Sequence, residues 1–270
     1  MERLVNTISR IIITLIVIGV VIVLGLFIVK PANQPIIHRE RTIYDWHTLS
    51  IVSIDKMSIW ATYSTPKNPR GVVVLVHGLG EDSSMWNISN ISFSLLDSGL
   101  AVFTLDLRGH GLSIYRANGT LVRVKDLKAD DYERMVLDVQ SLIISAESIV
   151  EGKPLFIICS DIGCSITSRI LESPWGRDIK GIVMISPVLD SHIGLDLEAL
   201  KKYKGNIFII YSELDKNSVQ AVNEIRKTIA NASIVFYASK IPGHGLNLIL
   251  ADKSIPNRII SVINAWLTRS

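Results

Sequence analysis

The sequence predicts a doubly wound α/β fold with a mostly parallel sheet of about eight strands, and three observations carry that reading. Short apolar runs recur along the chain without the alternation expected of a sheet wetted on one face. Stretches of helical periodicity separate them, so strand and helix patterns alternate as in βαβ units. Several of the runs end in loops rich in glycine, histidine and aspartate, at the sheet edge where such folds gather their functional residues.

Ahead of this pattern, residues 11–29 form a run of nineteen residues with no charge and one hydroxyl, Thr14. At about 1.5 Å per residue, such a helix matches the thickness of a bilayer core. Lys30 and Pro31 close the run where a cleavable signal would carry small residues, so residues 1–30 are expected to be an uncleaved transmembrane anchor. Arg3 and Arg10 compete with Lys30, Arg39 and Arg41 over orientation, and the short leading tail is expected to leave the domain outside the cytoplasm. Residues 31–45, with Pro31, Pro35 and a charged cluster, read as a stalk.

The remainder, 46–270, has the length of one large α/β domain. Of the 28 basic and 25 acidic residues, three and one fall within the first thirty, leaving 25 against 24. That balance gives no electrostatic case for nucleic acid. Residues 47–63 predict two strands, followed by strands at 72–76, 101–106, 155–160, 181–186, 206–212 and 233–239. Helices are predicted at 84–98, 129–149, 162–172, 217–229 and 255–268. Residues 187–205 leave room for one short helix. Cys159 and Cys164 read as small buried packing residues, since their spacing suggests no disulfide framework.

Four strand ends carry distinctive residues. The stretch VVVLVHGLGED ends in His77, Gly78, Leu79 and Gly80, a loop whose glycines let backbone amides turn toward a ligand. FTLDLRGHGLS supplies Asp106, Arg108, Gly109, His110 and Gly111. FIICSDIGCS runs from a strand into a helix through a turn with Asp161 at its apex. IIYSELDKNSV supplies Asp215, and IPGHGLNLI places His244 in a loop before the last helix. A histidine can serve as base near neutral pH, and an acid can hold its tautomer.

From about Gly71 to Leu267 these motifs, in this order, resemble the α/β-hydrolase superfamily. HGLGED and DLRGHGLS are similar to its serine aminopeptidase and monoacylglycerol lipase branch. The resemblance implies an oxyanion hole from the amides of Leu79 and Ile162, with Asp215 orienting His244 as general base. It implies bracing roles for Arg108 and His110, and for His77 a packing role inside the oxyanion loop. It also implies a small-molecule or lipid-like substrate, with no cofactor or metal.

Asp161 departs from the pattern, because it stands where the nucleophilic serine of a GxSxG turn belongs, between Cys159 and Gly163 at the small positions. Haloalkane dehalogenases and epoxide hydrolases, in the same superfamily, use an aspartate there, but with a tryptophan after it and a cap domain. Here Ile162 follows, and 187–205 is too short for such a cap. Three readings stay open: Asp161 attacks substrate; the site has lapsed into a binding or scaffold role; or His244 activates water that Asp161 positions.

Overall fold

The computed structural model describes residues 44–190, 192–229 and 234–268. The expected anchor, and the expected stalk up to residue 43, lie outside the described residues. Among the described residues, no helix is long and apolar enough to cross a membrane.

The strands are β1 (His47–Val52), β2 (Met57–Ser64), β3 (Val72–Val76), β4 (Ala101–Leu105), β5 (Tyr115–Arg116), β6 (Leu155–Ser160), β7 (Ile179–Ile185), β8 (Asn206–Ser212) and β9 (Ile234–Ser239). They pair in the order β1-β2-β4-β3-β6-β7-β8-β9, with the two-residue β5 attached to β2. From β4 through β9 the neighbours are parallel, whereas β1, β2 and β5 join antiparallel. The chain leaves β3 for β4 on one side and later returns to place β6 on the other. That reversal opens a crevice at the carboxyl ends of β3 and β6, where a ligand has room between diverging loops.

The continuously apolar strands make sense in this arrangement, because the sheet is covered on both faces. Val72, Val74 and Val76 point into a core layer shared with Met135, Leu142, Ile166 and Val222. Their neighbours Val73 and Leu75 face the opposite layer, with Trp86, Leu95, Ile259 and Trp266. The helices therefore divide by face. One layer uses α4 (Met135–Ile149), α5 (Ile162–Ile170), α6 (Leu197–Lys202) and α7 (Lys216–Thr228). The other uses α1 (Ser84–Ile88), α2 (Ile91–Asp97), α8 (Leu246–Ala251) and α9 (Ile255–Leu267). The short α3 (Ala129–Glu133) leads into α4.

Two expected helices are each split. The 84–98 helix breaks at Asn90, whose φ of 63° no α-helix accommodates. The 129–149 helix is interrupted at Arg134, between α3 and α4. Arg108, buried just after β4, braces the sheet edge. It makes paired contacts with Asp138 of α4 (2.6 Å at the shortest) and with Asp55 of the β1–β2 turn (2.7 Å). A buried guanidinium is tolerable because both partners are carboxylates that meet its planar fork.

Candidate active site

Asp161 sits between β6 and α5 with φ 50° and ψ −124°, a strained conformation for a residue with a side chain. The strain points the carboxylate out of the turn instead of along the strand or helix. Its surroundings permit nothing larger: a Cβ on Gly163 would lie 2.6 Å from the carbonyl oxygens of Val76 and His77, and one on Gly78 would lie 2.8 Å from the Asp161 Cβ. The end of β3 and the elbow are thus pressed together.

That closeness decides where the carboxylate goes. The Leu79 N–H donates to Asp161 Oδ2 at 2.9 Å, while Asp161 Oδ1 lies 3.2 Å from Nε2 of His244. The other ring nitrogen, Nδ1, is 2.5 Å from Asp215 Oδ2. Asp215 caps α7, accepting from the Asn217 amide at 3.2 Å and from the Ser218 hydroxyl. The imidazole is therefore shared by two carboxylates, and the amide expected to await an oxyanion already holds one oxygen of Asp161.

The charges follow from this geometry. The contact with Asp161, reinforced by Asp215, outweighs desolvation and pushes the His244 ring up to about 9, so at neutral pH it is an imidazolium. Burial opposes the charge on Asp161. The His244 contact and the amides of Leu79 and Ile162 overcome it and hold the carboxyl below its usual range. Asp215 is also held low against burial, by Ser218 and His244.

The loop histidines do other work. His77 is buried, with Nδ1 2.7 Å from the Gly78 carbonyl and Nε2 accepting the Leu107 amide at 3.0 Å. His110 accepts the Gly80 amide on Nε2 at 3.1 Å and places Nδ1 3.0 Å from the Arg108 carbonyl. Burial keeps both rings neutral, so each can donate through one nitrogen and accept through the other. They hold the oxyanion loop and do not touch the cavity.

Sequence reasoning missed Glu81. Its side chain folds back between the oxyanion loop, the elbow and the His244 loop, accepting the Gly78 amide at 2.8 Å and the Leu246 amide at 3.3 Å. Its place in HGLGED gave no hint of this, since the Leu246 contact spans 165 residues. The cysteine reading needs correction: Cys159 and Cys164 are buried as expected, but they are joined as a disulfide across the elbow. The strand-to-helix reversal brings their Cα atoms to 4.9 Å, a proximity that linear spacing conceals.

Beside Asp161 and His244 opens a cavity of about 320 Å³, also lined by Val188, Leu189, Asp190, Asn217 and Gln220. Its size suits a small molecule, and its wall pairs apolar side chains with amides. No group of three or more potential metal ligands is present among the described residues.

The profile of the family described as serine aminopeptidase, S33, matches residues 67–231. A monoacylglycerol lipase from Mycolicibacterium smegmatis is 25% identical over 204 residues, which cover 74% of this chain and 69% of the lipase. A monoglyceride lipase homolog from Monkeypox virus is 27% identical over 146 residues, so the match spans about half of each chain. Among solved structures, an esterase from Pyrococcus furiosus superposes with a TM-score of 0.62 at 16% identity, covering 84% of this chain and 91% of its own. A thermostable carboxyl esterase from Bacillus coagulans gives 0.64 at 16% identity, covering 83% and 100%. At such identities these two likenesses speak to fold.

Proposed function

Because the chain belongs to the serine aminopeptidase S33 family of hydrolases, we propose that it hydrolyses a small, lipid-like substrate through an ester formed on Asp161. One observation carries the reading: a single carboxylate has one oxygen on the Leu79 amide and the other against His244. Oδ2 already occupies the position of an ester carbonyl, which leaves Oδ1 to attack once the His244 ring gives up its contact with it. The leaving group would depart from a saturated carbon as that carbon bonds to Oδ1. Water would then add to the Asp161 carboxyl carbon, with the developing oxyanion on the Leu79 and Ile162 amides. Collapse expels the alkoxide, which takes the proton that His244 accepted from water, and the new carboxyl passes its own proton to His244, restoring the carboxylate and the imidazolium.

The charge on His244 changes when the chemistry needs it to. In the resting site the imidazolium is a poor base, but esterification removes the Asp161 charge that chiefly raises its pKa. The half-exposed ring then gives its proton to solvent and can accept one from water. Attack on an acyl carbon has less support, since Oδ2 fills the hole that an acyl oxyanion would need and the product would be a mixed anhydride. Activation of water by His244 alone is weaker for a related reason, because Nε2 is engaged by Asp161.

The filled hole also favours a second reading, a serine-hydrolase site whose nucleophile has been replaced. A panel of p-nitrophenyl esters, alkyl halides and epoxides separates the two. For an aspartyl nucleophile, Asp161→Ser and Asp161→Asn abolish native turnover of a halide or epoxide. For a replaced serine, Asp161→Ser gains esterase activity that the native protein lacks. Turnover that survives both substitutions but not His244→Ala would overturn both readings in favour of water activation. The residues before the domain add a further part of the proposal: the 11–29 run tethers the hydrolase to a membrane, which the uncharged sequence of that run supports.

A further inference from the structure

We propose that Glu81 is a positioning residue that fastens the oxyanion loop to the His244 loop across the elbow. Its catalytic consequence rests on the hydrolase reading above, but the contacts that motivate it belong to the resting protein.

The two oxygens of Glu81 have different partners. Oε2 accepts the amide of Gly78, the residue before Leu79, and Oε1 accepts the amide of Leu246, two residues after His244. Ser160, the residue before Asp161, places its hydroxyl 3.5 Å from the same Oε2. One side chain thus reaches all three segments that must keep register for Asp161, Leu79 and His244 to meet. The fit is close: a Cβ on Gly78 would come 2.9 Å from Oε2, and a Cβ on Gly245 would come 3.1 Å from Oε1.

Both backbone partners are donors, so the site needs two acceptors on one side chain. A glutamate supplies them. A glutamine offers one oxygen and turns an NH₂ group toward the remaining amide, leaving two donors face to face. The electrostatics agree, since burial raises the Glu81 carboxyl, Asp161 raises it further, and the Gly78 and Leu246 amides with the His244 ring work to keep it charged. The ring itself meets Asp215 from the β8–α7 loop and Asp161 from the elbow, and the Glu81 charge acts on it through space.

The test is a pH titration of the ¹⁵N-labelled full chain by NMR, which needs no turnover. In the native protein the amide resonances of Gly78 and Leu246 should move together through one carboxyl titration, that of Glu81, above the ordinary glutamate midpoint. Glu81→Gln should lower the His244 midpoint, because one negative charge leaves the site. Glu81→Asp, which keeps the charge on a shorter arm, should restore most of that midpoint without restoring the common titration of the two amides. Unlinked Gly78 and Leu246 titrations in the native protein would overturn the proposal even if the variants fail to fold. So would a His244 midpoint that stays put in Glu81→Gln, or that falls equally in both variants. If the clamp is present but no substrate of the panel turns over, the positioning role stands and the hydrolase reading fails.

Discussion

His244 holds its charge because Asp161 and Asp215 lie on opposite sides of its ring, and the pH dependence of stability follows from that. A ring raised to about 9 contributes its full stabilisation below the unfolded histidine range near 6.5 and loses it as pH rises through 9. Asp161 and Asp215, both held low, contribute above the ordinary carboxylate range and lose their share as pH falls below it. Together the three groups stabilise most from about pH 5 to 6.5. Asp161→Asn should therefore destabilise the protein more at pH 6 than at pH 10, where the ring is neutral in both forms and only the Leu79 and Ile162 amides still favour the carboxylate. The His244 side chain is 41% exposed, so water screens the pair and the loss at pH 6 should be on the order of 1 kcal/mol. Urea denaturation of both proteins at the two pH values measures it, and an equal loss at each would mean that packing and not charge holds Asp161.

The elbow between β6 and α5 is the element on which the site depends, and its tolerance to substitution is narrow. Gly163→Ala would drive a methyl group to 2.6 Å from two carbonyl oxygens of the β3 end, where backbone cannot yield cheaply. A loss of about 1–3 kcal/mol is expected, enough to lower the melting temperature by several degrees. Gly80→Ala meets no atom within 4 Å and has only its φ of +73° to accommodate, so it should cost less, about 1 kcal/mol. Equal melting temperatures for the two variants would show that the elbow is looser than its contacts imply. The same element shows what could be read in the sequence. Strand β6, the turn and α5 were legible because an apolar run met small residues on both sides of Asp161. The parallel strands from β3 onward were legible for a similar reason, burial on both faces. Strand β5 was not, since two residues carry no periodicity, and α8 was hidden behind the glycines around His244. The breaks at Asn90 and Arg134 escaped because the apolar pattern continues across them. Glu81 and the Cys159–Cys164 bridge escaped for a different reason, since each depends on segments that meet only when the chain is folded.

Residues 11–29 precede a domain whose described residues begin at 44. Outside the first thirty residues the chain has 25 basic against 24 acidic residues, too even a balance for a strong pull on anionic headgroups. Membrane affinity should then reside almost wholly in the nineteen uncharged residues, which as a helix would extend about 28 Å, close to the apolar thickness of a bilayer. The full chain should accordingly stay in the membrane pellet after an alkaline carbonate wash and leave it only with detergent. A fragment starting near Gln34 should appear in the supernatant with the circular dichroism of a folded α/β domain. Replacing Val20 and Val21 by lysine would place two charges at the centre of the span at a cost of about 2.5–3.5 kcal/mol each, so that variant should partition like the fragment. Recovery of the unaltered full chain in the carbonate supernatant would remove the tether from the proposal without touching Asp161 or His244, because the residues that build the site all lie within 77–246.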